Sequence, residues 1–126
     1  MPITLVPKEI VIEKINEMGM FASYLNEREN VELVETDKGF AIYAITGSEC
    51  YLRDIYVKPE YRKTGVASSI ADIVCDRAKS MGCKMLTGSV CPTTRGADAS
   101  LRVLQGYGMR LHSASTNLIV FVKDLK

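Results

Sequence analysis

The sequence predicts an α/β sandwich built on one mostly antiparallel sheet, with a single parallel pair of strands in its middle. Three observations carry this. Short β-type runs rich in Val, Ile, Leu and Tyr succeed one another across turn-forming residues. Longer stretches space their apolar residues three or four apart, as one buried face of a helix requires. The run "CKMLTGSV" (83–90) arrives after a helix instead of a turn, so it lies parallel to the strand before that helix.

Taken in order, Ile3–Val6 form a short strand stopped by Pro7. From Lys8 to about Asn26, apolar residues at Val11, Ile15, Met18, Phe21 or Ala22, and Leu25 predict a helix. Gly19 bends it or divides it in two. "VELVET", "GFAIYAI" and "CYLRDIYV" (31–36, 39–45, 50–57) read as strands, and the turns Asp37-Lys38-Gly39 and Thr46-Gly47-Ser48 join antiparallel neighbours. Over residues 65–81, Val66, Ile70, Ile73 or Val74, Ala78 and Met81 share one helical face, and Gly82 ends the helix. A shorter helix spans 98–105, with Gly106 and Gly108 bracketing its end. "MRLHSA" and "NLIVFVKDL" close the chain as a hairpin, the second strand apolar enough to be buried on both faces.

The 126 residues suit a single domain, with 47% hydrophobic residues to fill a core. A formal net charge of +1 gives no global field for nucleic acid or an anionic membrane, so any anion site is local. Cys50, Cys75, Cys83 and Cys91 form no C-x-x-C pair and the sole histidine is His112, which argues against a structural metal. Such thiols fit a reduced, cytoplasmic protein. The N-terminal stretch is broken by Pro and charge before any apolar run reaches spanning length, so neither a signal peptide nor a membrane segment is expected.

"YRKTGVASSI" (61–70) carries the chemistry. It leads from a strand into a helix through Arg62, Lys63 and Gly65, followed by the small residues Ala67, Ser68 and Ser69. The first N–H groups of a helix have no intrahelical partner and, with the dipole, suit a phosphate. Small side chains let phosphate oxygens come close. The same residues also suit a plain surface turn beside a solvated Arg-Lys pair, and the loop alone does not separate the two.

With its flanks, "LRDIYVKPEYRKTGVASSI" resembles the central motif of the GNAT superfamily, the Gcn5-related N-acetyltransferases. There an apolar-aromatic-Val-x-Pro run is followed by Arg/Gln-x-x-Gly-x-Gly/Ala and a helix. Ile55, Tyr56, Val57, Pro59, Arg62, Gly65 and Ala67 occupy those positions. "SLRVLQGYGM" is similar to the family's last helix, with Gly108-Met109 at its usual Gly-Phe. The resemblance implies a single GNAT domain over residues 1–126, with a splayed parallel pair at the centre of the sheet and helices on both faces. It implies acetyl-CoA as donor. The pyrophosphate would rest on N–H groups of Lys63, Thr64, Gly65, Val66, Ala67 and Ser68, with Arg62 nearby. The pantetheine arm would pair like an added strand with Ile55, Tyr56 and Val57. An amine acceptor would attack the thioester directly, and exposed edges leave a homodimer open. A module that holds acyl-CoA without turnover, and transfer of another acyl group, are the alternatives.

Amide formation needs a neutral amine, and a lysine-like amine at pH 7 is about 4.6 kcal/mol from that form. A positioned base recovers part of this. In the polyamine-acetylating branch a Glu on the strand is the base, but Arg53 stands there. The Tyr that protonates the thiolate is here Leu104, and the usual Asn of that helix falls at Ala97. Catalytic candidates are therefore Asp54, Tyr107 and Glu49, with Tyr56, Glu32 and Glu35 also open. Each is equally suited to a structural bond. Arg53 could bind an acceptor carboxylate or phosphate, or pair with an acid on the sheet. Cys91, in "GSVCPTT", has no neighbouring base in sequence, which favours direct amine attack over an acyl-cysteine.

Overall fold

The computed structural model describes residues 15–16 and 19–125. The strand expected at Ile3–Val6 and the start of the helix expected from Lys8 lie outside them. Ile15–Asn16 form a short strand, β1, where the spacing predicted helix. It pairs antiparallel with β2 (Glu32–Thr36), Ile15 opposite Thr36 and Asn16 opposite Glu35. Gly19, extended at φ −71° and ψ 158°, precedes helix α1, Met20–Glu29. Glycine is among the poorest helix formers, so the helix starts after it, and Ile15–Asn16 instead complete backbone bonds at the edge of β2. Asn30 ends α1 in the left-handed conformation (φ 56°), its N–H bonded to Asn26 O.

The remaining strands are β3 (Gly39–Thr46), β4 (Glu49–Val57), β5 (Met85–Val90), β6 (Arg110–Ala114) and β7 (Ile119–Asp124). The sheet order is β1-β2-β3-β4-β5-β7-β6, and β4/β5 is its parallel pair. Strict alternation along β3 divides two cores. Ala41 and Tyr43 face one with Val34, while Phe40, Ile42 and Ala44 face the other with Leu33. Thr36 closes the β2–β3 turn: its Oγ1 accepts from Lys38 N–H and Gly39 N–H and donates to Gly39 O.

Helix α2 (Val66–Ser80) buries Val66, Ile70, Val74, Cys75 and Ala78 in the larger core, and α3 (Ala97–Gly106) adds Ala97 and Leu104 to it. Helix α1 lies on the opposite face, packing Leu25 and Ala22 against Leu33 and Ile42. Both α2 and α3 close with the same paired bonds. Gly82 N–H reaches Lys79 O and Cys83 N–H reaches Ala78 O, while Gly108 N–H reaches Gln105 O and Met109 N–H reaches Leu104 O. On β7, Phe121 and Val122 are both buried, one on each face, as the apolar run "NLIVFVKDL" predicts.

Candidate active site

Strand β4 builds the site. Its ladder with β3 pairs Tyr43 with Leu52 and then Ile42 with Asp54, leaving Arg53 as an extra residue in a bulge. Before the bulge Cys50 and Leu52 face the larger core. After it, Ile55 and Val57 face that same core. The parallel ladder with β5 ends at Leu52–Gly88, although β4 continues to Val57 and β5 to Val90. Beyond that pair the two strands part, and the β5-facing edge of residues 53–57 has no ladder partner. The expected splay is therefore present, and it begins at the bulge.

A cavity of about 220 Å³ opens in the gap. Leu52, Arg53, Asp54 and Ile55 line it from β4, and Ser89 and Val90 from β5. Cys91, Thr94 and Arg95 line it from the following loop, and Ala97, Ser100 and Leu104 from α3. Gly88 lets α3 lie close to the sheet. A Cβ there would stand 3.3 Å from Leu104 Cδ2.

The loop from β4 to α2 contains a single 3₁₀ turn, Pro59–Tyr61. Arg62 folds back from it, its Nε–H donating to Val57 O at 2.9 Å and its guanidinium lying 5.5 Å from the Tyr56 ring centroid. Lys63 (φ 63°) and Gly65 (φ 91°) are both left-handed, and Thr64 Oγ1 between them donates to Tyr61 O. Gly65 directly precedes α2, a conformation that a Cβ would strain. Its carbonyl accepts Ser69 N–H at 3.1 Å. The N–H groups of Val66, Ala67 and Ser68 thus belong to an open first turn. No atom lies within 4 Å of a Cβ built on Gly65, so the space above the turn is clear. The ten residues expected to meet a cofactor fall into two contiguous pieces: the far end of β4 and this turn.

The catalytic candidates do not converge. Asp54 lines the cavity, its Oδ2 accepting Arg53 Nε–H at 2.9 Å. Arg53 also donates through Nη1 to Glu29 at the end of α1, so it pairs with acids on the sheet and on the helix. These two carboxylates, Glu29 foremost, hold the Arg53 guanidinium more firmly cationic. Glu49 sits at the start of β4, away from the cavity, and accepts from Thr87 Oγ1 at 3.0 Å. Tyr107 is also outside the cavity wall. Its hydroxyl donates to Asp72 Oδ1 on α2 at 2.5 Å and lies 3.4 Å from Cys75 Sγ. Burial first, then the bonds to Asp72 and Cys75, push Tyr107 far above the usual tyrosine range. Tyr56 stacks on Phe40 at 5.5 Å. Glu32 and Glu35 are on β2, two strands or roughly 10 Å from β4.

Four features escaped the sequence reading: the bulge, the polar lining by Ser89 and Arg95, the 2.7 Å contact of Tyr51 Oη with Ser89 Oγ, and the character of Cys91. The bulge leaves a trace in "CYLRDIYV", where apolar residues shift from even to odd positions across Arg53-Asp54. Cys91 Sγ lies 3.3 Å from Thr93 Oγ1, and its pKa is lowered to about 7, chiefly by that bond and then by one with Thr94. Burial instead pushes Cys50 up to about 12 and raises Cys75 and Cys83. Among the described residues, no group of three His, Cys, Asp or Glu side chains could hold a metal ion, and no helix is long and apolar enough to cross a membrane.

The thialysine N-epsilon-acetyltransferase of Bos taurus is 42% identical over 53 residues, a match spanning 38% of this chain and 31% of the bovine protein. The chain thus matches only about a third of that curated relative's length. Among solved structures, an acetyltransferase from Bacillus subtilis in complex with CoA superposes with a TM-score of 0.68 at 14% identity, covering 90% of this chain and 97% of that one. The PaiA N-acetyltransferase of Thermoplasma acidophilum, in complex with coenzyme A, gives 0.67 at 15% identity over 79% and 65% of the two chains. These superpositions carry the fold. The sequence itself matches the acetyltransferase (GNAT) family over residues 12–107, well over half its length, and the chain belongs to that family.

Proposed function

We propose that this protein transfers an acetyl group from acetyl-CoA to a primary amine, by direct attack within a ternary complex. One observation carries the reading: the unpaired edge of β4 is followed, after one short loop, by the open first turn of α2. An extended slot ending in an anion seat suits a long ligand with phosphates at one end and a thioester at the other. The two solved structures of this fold with CoA bound, and the bovine relative's named activity, support it.

In this reading the pyrophosphate rests on the backbone of Lys63 to Ser68, beside Arg62 and Lys63. The arm pairs with Ile55 to Val57, and the thioester lies in the cavity near Asp54. A free N–H in the gap would polarise the thioester oxygen. Asp54, directly or through water, takes the proton that the amine sheds, while Arg53 holds that carboxylate in place. The four free cysteines fit a cytoplasmic setting, and the exposed edge strand β6 is the surface for a homodimer.

Titration calorimetry with acetyl-CoA and CoA, followed by thiol release across a panel of amines, tests the proposal. Binding with amine-dependent thiol release is expected, and no binding at millimolar acetyl-CoA would overturn it. Leu104 and Arg53, standing where the resemblance implies Tyr and Glu, favour a second reading, an acyl-CoA-binding module. Binding without release for any amine would select that one.

A further inference from the structure

The hydroxyls of Tyr51 on β4 and Ser89 on β5 lie 2.7 Å apart. They bridge the two strands where the parallel ladder stops, beside the Tyr51–Thr87 and Leu52–Gly88 pairs. Ser89 belongs to the cavity wall and Tyr51 does not. Tyr51 keeps 36% of its surface exposed, so the pair runs from solvent to the cavity. Three hydroxyl-bearing residues line the cavity, Ser89, Thr94 and Ser100, and among them only Ser89 is hydrogen-bonded to a phenol. Tyr107, at the C-terminal end of α3, spends its proton on Asp72.

We propose that Ser89 is the catalytic proton donor to the departing sulfur, and that Tyr51 is the positioning residue that feeds it. This rests on the acetyl-transfer reading above. A serine hydroxyl alone is too weak an acid to protonate a thiolate. A phenol is a far stronger acid than an aliphatic hydroxyl, and the hydrogen bond between the two lets that acidity act at the sulfur through Ser89. In the step, the amine lone pair forms the C–N bond and the C–S bond breaks, its electron pair passing to sulfur. The sulfur takes the Ser89 proton as Ser89 takes that of Tyr51. The phenolate is reprotonated from solvent, and Asp54, which takes the proton shed by the acceptor nitrogen, returns one to solvent in exchange.

The test uses the full chain with Tyr51→Phe, Ser89→Ala, their combination, and Ser89→Thr, which keeps the hydroxyl. Because a thiolate leaves easily, each of the first two is expected to lower kcat by about tenfold, with the double variant no worse than either. The acetyl-CoA Kd stays unchanged, Ser89→Thr retains turnover, and the D2O effect on kcat seen in the parent shrinks in both single variants. Additive losses, a loss confined to acetyl-CoA affinity, or unaffected kcat in Tyr51→Phe would overturn the relay. An active parent with unaffected variants sinks the relay alone. A parent that releases no thiol with any amine removes acetyl transfer and the relay together.

Discussion

Gly65 concentrates the donor-side argument in one residue. Its left-handed φ of 91° sets the direction of α2, and the space above it is empty. Gly65→Glu would put bulk and negative charge into the proposed anion seat, and it would also strain the backbone. The two effects separate if Gly65→Asn is made alongside, because Asn tolerates the left-handed region without adding charge. Gly65→Glu is expected to weaken CoA binding by roughly a hundredfold or more, since opposing like charges costs several kcal/mol. Gly65→Asn is expected to lose far less. Calorimetry on both folded variants decides, and equal affinity in Gly65→Glu and the parent would move the phosphate seat elsewhere. Cys91 shows how local such control can be: two threonine hydroxyls lower its thiol while burial raises the other three.

At the scale of elements, α3 is held by the burial of Ala97 and Leu104, the latter over Gly88, and by the Tyr107–Asp72 bond to α2. Removing the second with Tyr107→Phe is expected to cost about 1 kcal/mol, the usual range for a bond to a charged group being discounted for the exposure of Asp72. A melting temperature lower by a few degrees with unchanged turnover is the expected outcome. A fall in kcat with no loss of stability would return Tyr107 to the chemistry. The strands β3 and β7 were legible as near-continuous apolar runs and the others by their β-type residues and their place between turn and helix signals, and α2 because its apolar residues repeat on one face. The first helix was misread: Ile15 and Met18 extend the spacing of Phe21 and Leu25, and periodicity cannot register that pairing with β2 competes for the same residues. The open slot was legible through the motif that spans it. The Tyr51–Ser89 contact was not, because it joins residues 38 positions apart and depends on the register of a parallel ladder.

For the molecule as a whole, the larger core carries the response to alkaline pH. Burial raises Cys50 from an ordinary 9.0 to about 12 and also raises Cys75 and Tyr43. Each is neutral when protonated, so its contribution is fully present below its ordinary value and fades as the pH climbs towards the folded one. Stability is expected to decline above about pH 9, by up to roughly 1.4 kcal/mol per pH unit for each fully retained proton. Urea midpoints between pH 7 and 11 measure this, with Cys50→Ala expected to flatten the slope. A flat profile in the parent would show that these thiols ionise as freely in the fold as in water. The bulge at Arg53 has a different reach. Because β4 counts its residues in one phase up to Leu52 and in the opposite phase from Asp54, the extra residue Arg53 is what lets Leu52 and Ile55 share one core with two polar residues standing between them. Pairing all nine residues of β4 in simple alternation would turn Ile55 and Val57 outward, whereas deleting Arg53 would restore alternation and leave both on the core, so the phase across this point is itself part of the site's specification.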